Sequence, residues 1–172
     1  MRIAVIGFGA AAIGFIERFK DSSHQIHVFE KSPDIYSSSI SGIRADGKLF
    51  VSTEMGGDIF INPKLQKDLV DFYISHTSNG GVETGKSFAN QDYYRLFYKH
   101  GFQPIGSDFY HIGTDQLKEV LFGIFERFKR YSNVHFHFNS EITDVELTPT
   151  SAKLNGSDEF DMAVVTVGRS GH

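Results

Sequence analysis

The sequence has no cysteine among its 172 residues, which excludes disulfide bonds and thiolate metal sites and fits a protein of the reducing cytoplasm. It also lacks any uninterrupted run approaching the ~18 apolar residues that a membrane-spanning helix needs. The apolar start at residues 1–6 is broken by Gly7 and Gly9, and no small-residue cleavage site follows, so a signal peptide is not indicated. We therefore expect a cytoplasmic protein that does not enter the membrane.

No excess of positive charge is present. Lys and Arg number 17 against 21 Asp and Glu, for a formal net charge of −4, so the composition does not indicate a nucleic-acid or anionic-membrane surface. Hydrophobic residues make up 40% of the chain and include 17 Phe, enough for a sizeable core. Without internal repeats, the length predicts one domain over residues 1–172, or two at most.

The first thirty residues follow a strand–helix–strand pattern. Residues 3–6 form a short apolar run, typical of a strand buried on both faces. Apolar residues at helical spacing follow in residues 12–19, and residues 26–29 form a second apolar run that ends at Glu30. This is the size of a minimal βαβ unit, which predicts an α/β fold with a parallel sheet.

The later elements suggest an insertion and an antiparallel excursion. Residues 32–113 are expected to be a long loop (32–57), a helix starting at Asn62-Pro63, a polar Gly-rich link (77–87) and a short helix near residues 93–98. A long helix is predicted over residues 114–128 and a strand over residues 134–138. Strands over 141–147 and 151–154, a hairpin turn at Asn155-Gly156 and a further strand predict a three-stranded β-meander. A last buried strand over residues 162–167 ends at Gly168.

A glycine-rich turn joins the first strand to the first helix, with the sequence Gly7-Phe8-Gly9-Ala10-Ala11-Ala12. Such a turn lets the backbone approach a pyrophosphate, since Gly7 permits the tight turn and Gly9 has no Cβ to collide with phosphate. The small Ala12 allows the helix to pack on the strand, and the helix N-terminus offers N–H groups and a positive dipole to the anion.

Glu30 stands at the end of the second strand, 18 residues beyond Ala12. A carboxylate at this place can accept hydrogen bonds from both ribose hydroxyls and would repel a 2′-phosphate, which disfavours NADP. The turn and Glu30 together predict a dinucleotide site, while a turn whose glycines serve packing alone is the alternative. These residues do not distinguish FAD from NAD, because both cofactors use this fingerprint.

Two other patterns carry less weight. Residues 80–87 match the P-loop string GxxxxGK[ST], but the segment before them has helical rather than strand periodicity, so a link between helices is predicted instead. His135 and His137 alternate on one face of a strand, with no carboxylate or further His at a convincing spacing, so no metal site is predicted. No catalytic residue can be assigned from spacing.

The order of elements resembles the two-dinucleotide-binding, glutathione-reductase-like flavoprotein superfamily. Members have the glycine-rich start, a Glu after the second strand, a β-meander and an apolar strand ending in Ala-Thr-Gly; here that ending is Thr166-Val167-Gly168. Within the superfamily, two segments are similar to a poorly characterised family of FAD-dependent dehydrogenases. They are Ala45-Asp46-Gly47-Lys48-Leu49 and the His-Ile-Gly-Thr-Asp motif at residues 111–115. The resemblance implies a Rossmann-like FAD/NAD(P)-binding domain with FAD as cofactor and NAD as the alternative.

The resemblance also implies roles for individual residues. Residues of the glycine-rich turn would border the pyrophosphate, Glu30 and Lys31 the adenosine ribose, the backbone at Ile142 the adenine edge, and the last strand the cofactor. Lys48 would approach the flavin ring, with a merely solvated lysine as the alternative, and His111 would contact flavin or substrate or only support the helix. The full set of implied cofactor-binding residues is Gly7, Phe8, Gly9, Ala10, Ala11, Glu30, Lys31, Lys48, Ile142, Val167 and Gly168.

Flavoproteins of this superfamily continue well past the last strand, so we expect the domain to be incomplete at its C-terminus. Three alternatives are open: the sequence is a piece of a longer protein, a partner chain or self-association completes the flavin site, or the chain is a compact protein that binds a dinucleotide without chemistry. Two functions follow from these expectations. One is the FAD-binding part of a flavin-dependent oxidoreductase that transfers hydride for an unknown substrate; the other is a non-catalytic FAD- or NAD-binding module that acts through a partner chain.

Overall fold

A computed structural model describes residues 1–36, 47–50, 62–77, 83–85, 91–104 and 109–168. The chain divides into two compact units, one formed by Met1–Arg44 with Leu121–His172 and the other by Ala45–Val120. In chain order the elements are β1 (Arg2–Ile6), α1 (Ala10–Phe19), β2 (Gln25–Phe29), β3 (Lys48–Phe50), α2 (Pro63–Ile74), β4 (Glu83–Gly85), α3 (Gln91–Lys99), β5 (Phe109–His111), α4 (Thr114–Phe128), β6 (Val134–His137), β7 (Val145–Leu147), β8 (Ala152–Leu154), β9 (Asp158–Phe160) and β10 (Met162–Val165).

The first unit contains a four-stranded sheet in the order β10-β1-β2-β6, in which every neighbouring pair is parallel. Strand β1 lies inside this sheet and is buried from Ile3 to Ile6, because apolar groups cover both of its faces. The Rossmann-like α/β fold predicted from the sequence is thereby confirmed. The carboxyl ends of β1, β2 and β10 meet at one edge of the sheet, where the glycine-rich turn lies.

The two faces of this sheet have different partners. On one face the Phe136 ring of β6 meets Phe125 of α4 at a centroid distance of 4.9 Å. Helices α1 and α4 are joined there by an ion pair between Glu17 and Arg127, 3.0 Å apart. The other face carries an apolar cluster that includes Ile6 of β1 and Phe160 of β9. The sheet is thus packed between helices and the meander.

The predicted three-stranded β-meander is present as the antiparallel sheet β7-β8-β9. Its turn contains Asn155 and Gly156, both at positive φ (47° and 72°), a conformation that Asn and Gly tolerate best. The strand predicted over residues 141–147 is shorter, because Asn155 satisfies the preceding backbone. Its Oδ1 accepts from the Thr143 N–H at 3.0 Å and its Nδ2 donates to the Glu141 carbonyl at 2.9 Å.

The second unit contains helices α2 and α3 and an antiparallel sheet in the order β3-β5-β4. Helix α2 begins as predicted, with the Asn62 side chain accepting the Lys64 N–H at 2.8 Å. The expectation of loop and helices alone over residues 32–113 was wrong, because β3 lies in the predicted loop, β4 in the predicted link and β5 before α4. Each of these strands has three residues and pairs with residues distant in sequence, so no local periodicity reveals it.

No helix within the ranges described above is long and apolar enough to cross a membrane.

Candidate functional site

The turn after β1 is a place where only glycine fits. Gly7 has a φ of +91°, and a Cβ added to it would lie 3.0 Å from the Cα of Val167 and 3.2 Å from the Thr166 carbonyl oxygen. Its N–H donates to the Phe29 carbonyl at 2.8 Å. The turn is therefore held against the ends of both neighbouring strands, and a side chain at Gly7 would push the last strand away.

No side chain in the described ranges caps the start of helix α1. Its N-cap is Gly9, with φ −116° and ψ −168°, and no acidic residue lies in the first turn. Ala10 and Ala11 are exposed at this start. The positive end of the helix dipole is consequently not neutralised by a side chain of the first turn, which is the arrangement found where helices receive phosphate groups.

Phe8 lies between the two glycines, and its ring points into the protein. The residue is only 2% exposed, and its ring makes an edge contact with Phe136 at 5.1 Å. Of the residues expected to border the pyrophosphate, Phe8 can therefore contribute only its backbone. That backbone N–H donates to Glu30 Oε2 at 2.9 Å. The ring anchors the turn to the core, while the N–H ties it to the carboxylate.

Glu30 is buried to 7% exposure at the end of β2, and three donors hold its carboxylate. Besides Phe8, Ser32 donates twice to Oε1, through its N–H at 2.9 Å and its hydroxyl at 2.7 Å. These bonds compensate the cost of burying the charge. Ser32 was not predicted from the sequence, although a serine two residues after a carboxylate is the spacing of a local side-chain–backbone turn.

The end of β10 fastens to the same turn. The Thr166 N–H donates to the Ile6 carbonyl at 2.8 Å, and its hydroxyl lies 2.6 Å from the Gly7 carbonyl oxygen. Val167 follows, half-buried against the apolar cluster, and Gly168 has a φ of +67°. Gly7, Glu30 and Val167 are therefore brought together, as the sequence predicts, and Thr166 adds a contact that was not assigned there.

Lys31 follows the end of β2, and Ile142 lies in the connection between β6 and β7. The Lys31 side chain is exposed, and Ile142 packs on the apolar cluster. Backbone hydrogen bonds join the two segments that carry them, from the Asn139 N–H to the Ser32 carbonyl at 2.8 Å and from the Ser140 N–H to the Glu30 carbonyl at 3.0 Å. Their roles at the adenosine stay predictions.

Lys48 belongs to the second unit. In the antiparallel pairing of β3 with β5, Lys48 lies opposite His111. The pairing extends one residue further, since the Ile112 N–H donates to the Gly47 carbonyl at 2.9 Å. Gly47 has a φ of +72°, and a Cβ on it would lie 3.0 Å from the Gly113 nitrogen. The two segments that resemble the dehydrogenase family therefore pack on each other. Ala45 and Asp46 of that loop lie outside the described residues.

Residues 83–85 of the P-loop-like string form strand β4, which pairs with β5 in the antiparallel sheet. The expectation of a link without secondary structure between two helices was therefore wrong for these residues. The rest of the string lies outside the described residues.

A third histidine, on β2, lies beside the two histidines of β6. The spacing of histidines in the sequence does not reveal this contact. His27 of β2 is in register with His135, and its Nδ1 lies 3.1 Å from Nε2 of His137. Burial lowers the pKa of His27 from 6.5 to about 4, and the charges of His135 and His137 act in the same direction. Burial also lowers the pKa of His137. Among the described residues, no three His, Cys, Asp or Glu side chains are arranged to hold a metal ion.

Comparison with known proteins shows that the fold of this chain is similar to that of solved structures. No protein-family model matches the chain, and no curated protein sequence matches it. Among solved structures, CtdE in complex with FAD superposes with a TM-score of 0.54 at 13% identity, over 98% of this chain and 38% of CtdE. Glycine oxidase from Bacillus cereus gives 0.54 at 13%, over 99% of this chain and 56% of the oxidase. A variant of PqsL from P. aeruginosa gives 0.57 at 10%, over 96% of this chain and 41% of PqsL.

The chain therefore has the Rossmann-like fold of FAD-binding flavoproteins. It spans 38–56% of the lengths of these three structures, so the activities of those whole proteins do not transfer to it directly. The likeness to the dehydrogenase family with the His-Ile-Gly-Thr-Asp motif stays a prediction.

Proposed function

We propose that this chain is the FAD-binding part of a flavin-dependent oxidoreductase. The observation that carries the proposal is the contact between the glycine-rich turn at Gly7 and the Glu30 carboxylate. The backbone of Gly7 lies so close to Val167 that a side chain is excluded, and the next residue donates its N–H to the buried Glu30 carboxylate. An anion-receiving helix start beside a fixed carboxylate is what the diphosphate and ribose of a dinucleotide require.

Different residues of the site would bind different parts of the cofactor. Gly9, Ala10 and Ala11 would receive the diphosphate at the start of α1, because no side chain caps that start. Glu30 would accept the ribose hydroxyls, with the Lys31 stem beside it. The flavin, when bound, supplies the hydride-transfer chemistry, and the protein supplies binding and orientation.

The end of β10 and the opening of the meander would complete the adenosine half. The backbone at Ile142 would meet the adenine edge, since Ile142 is held on the apolar cluster close to the segment that follows Glu30. Val167 and Gly168 would run beside the diphosphate, because Val167 already contacts the glycine-rich turn. Each of these contacts uses backbone that the fold holds in place.

The finer proposal is a dehydrogenase of the family with the His-Ile-Gly-Thr-Asp motif. It is supported by the packing of Gly47 against Gly113 and by the pairing of Lys48 with His111, since two segments that resemble one family form one piece of structure. In this proposal Lys48 faces the flavin ring and a partner chain or a second copy completes the site. The same proposal includes a cytoplasmic location for the protein.

A non-catalytic module that binds FAD or NAD is the second candidate. This candidate is favoured because all the residues that support cofactor binding would contact its ADP half. FAD and NAD share that half. The two candidates differ in what the purified protein carries and in whether a bound flavin can be reduced.

The test is a visible absorption spectrum of the protein purified without added cofactor, repeated after incubation with FAD and desalting. A retained flavin band supports the FAD proposal. The variant Ala11→Glu should lose that band, because an acidic side chain at the start of α1 opposes the diphosphate. We expect at least a tenfold rise in the dissociation constant, a loss of about 1.4 kcal/mol or more. Ala11 is exposed, so the fold should tolerate the change.

The matched control is Ala11→Gln, which has the same size without the charge and should retain most of the FAD. A colourless wild-type protein that takes up no FAD but binds NADH would transfer the proposal to the NAD module. Equal FAD binding by the wild type and by Ala11→Glu would show that the diphosphate does not lie at this helix.

A further inference from the structure

The Glu30 carboxylate is held asymmetrically. Among the residues that the structure describes, its Oε1 receives two hydrogen bonds, both from Ser32, whereas its Oε2 receives one, from the Phe8 N–H. An ionised carboxylate offers about four acceptor positions, two on each oxygen. Ser32 therefore fills Oε1 and leaves the remaining acceptor position on Oε2, the oxygen beside the glycine-rich turn.

Ser32 is itself fixed in place. It is 3% exposed, and its carbonyl accepts the Asn139 N–H at 2.8 Å. The backbone of Glu30 is fixed on both sides, since its N–H donates to the His137 carbonyl at 2.9 Å and its carbonyl accepts from Ser140 at 3.0 Å. The Ser32 hydroxyl is consequently presented to Oε1 by a backbone that cannot turn without breaking sheet-edge hydrogen bonds.

We propose that Ser32 is a positioning residue that orients the open acceptor position of the Glu30 carboxylate toward a ribose hydroxyl of the adenosine. The inference rests on the proposed dinucleotide site. It adds that Ser32 gives this site its preference for a ribose with free hydroxyls. Without the Ser32 hydroxyl, one of the three donors is lost and the carboxylate can rotate about its terminal torsion, which is broad for glutamate. The open acceptor position would then no longer be confined to Oε2.

The experiment compares two nucleotides on matched variants. Titration calorimetry measures the binding of ADP and of 2′,3′-dideoxy-ADP, which differ only in the ribose hydroxyls, to the wild type and to Ser32→Ala. The wild type should prefer ADP. Ser32→Ala should weaken ADP binding by about fivefold, the size of one hydrogen bond, and leave dideoxy-ADP binding within about twofold. Ser32→Thr, which keeps the hydroxyl, should restore most of the preference.

Ser22→Ala is the control, because it removes another hydroxyl hydrogen bond, to the Phe19 carbonyl at 2.6 Å, near the end of α1. It should bind both nucleotides as the wild type does. If Ser32→Ala does not fold, Ser32→Cys keeps the size and replaces the strong donor by a weak one, and it should lose ADP preference in the same direction.

The outcomes separate the two proposals. Equal losses for both nucleotides, or no loss for either, would overturn the role of Ser32 while leaving the dinucleotide site intact. A wild-type protein that binds both nucleotides equally well would refute the ribose contact of Glu30, and with it the role of Ser32. A wild-type protein that binds neither nucleotide would overturn the proposed function itself and the inference that rests on it.

Discussion

Replacing Gly7 by alanine should destabilise the first unit through two separable effects. An L-residue in the left-handed region costs about 1–2 kcal/mol. The added Cβ would meet three backbone atoms of Thr166 and Val167 at 3.0–3.2 Å, and none of these can rotate away as a side chain would. Overpacking of this kind costs about 1–3 kcal/mol, so the expected loss in the free energy of unfolding is about 2–5 kcal/mol.

Two other glycines separate these effects. Gly168 has a φ of +67°, and no atom of the described part of the chain lies within 4 Å of an added Cβ, so Gly168→Ala should lose only the conformational part, about 1–2 kcal/mol. Gly14 lies within α1, and none of the described residues comes within 4 Å of an added Cβ there either. Because alanine favours a helix interior by about 1 kcal/mol, Gly14→Ala should be neutral or stabilising.

The assay is urea unfolding followed by far-ultraviolet circular dichroism. With a slope of about 2 kcal/mol per molar urea, the midpoint of Gly7→Ala should fall by about 1–2.5 M. If the two units unfold in separate steps, the shift should appear in one transition only. A midpoint for Gly7→Ala equal to that of Gly168→Ala would refute the close-contact argument, and a midpoint equal to that of wild type would refute both parts.

Three further predictions concern the same unit. Phe8→Ala should lower the free energy of unfolding by about 3–5 kcal/mol in thermal or urea unfolding, since a fully buried ring leaves a cavity, whereas Phe102→Ala, at an exposed position, should change it by less than about 0.5 kcal/mol. Thr166→Val should cost about 1 kcal/mol in the same assay, because it removes the hydroxyl that contacts the Gly7 carbonyl; an unchanged midpoint would contradict this. Unfolded His27 takes up a proton near pH 6.5 but folded His27 only near pH 4, so stability should fall as the pH drops from 6.5 to 4. After allowance for partial exposure this amounts to about 1 kcal/mol, and His27→Phe should flatten that part of the stability–pH curve; an unaltered slope would show that other groups cause it.

The sequence predicts the first unit well because its determinants are local. The glycine-rich turn, the apolar run of β1 and the Asn155-Gly156 turn each fix a backbone conformation within a few residues. Glu30 is predictable for the same reason, since its distance from the turn along the chain is set by one helix and one strand. Three connections, from β1 to β2, from β2 to β6 and from β6 to β10, join the four parallel strands of the sheet.

What the sequence does not predict depends on pairing between distant segments. Strands β3, β4 and β5 are too short to show alternation, and each exists only because its neighbour does. His27 joins His137 through strand register, which no spacing within the sequence encodes. Ser32 is two residues from Glu30, but its importance depends on the burial of both, which only the folded chain produces.

The pairing of β1 with β10 has a consequence for the order in which the molecule can form. The Arg2 N–H donates to Asp161 Oδ2 at 2.6 Å across 159 residues of chain. At a synthesis rate of about 5–20 residues per second, β1 exists for about 8–30 seconds before its partner has been made. During that time the edge of β1 that β10 later pairs with presents backbone N–H and C=O groups without their native partner strand. We therefore expect slow folding that is limited by closure of this long contact.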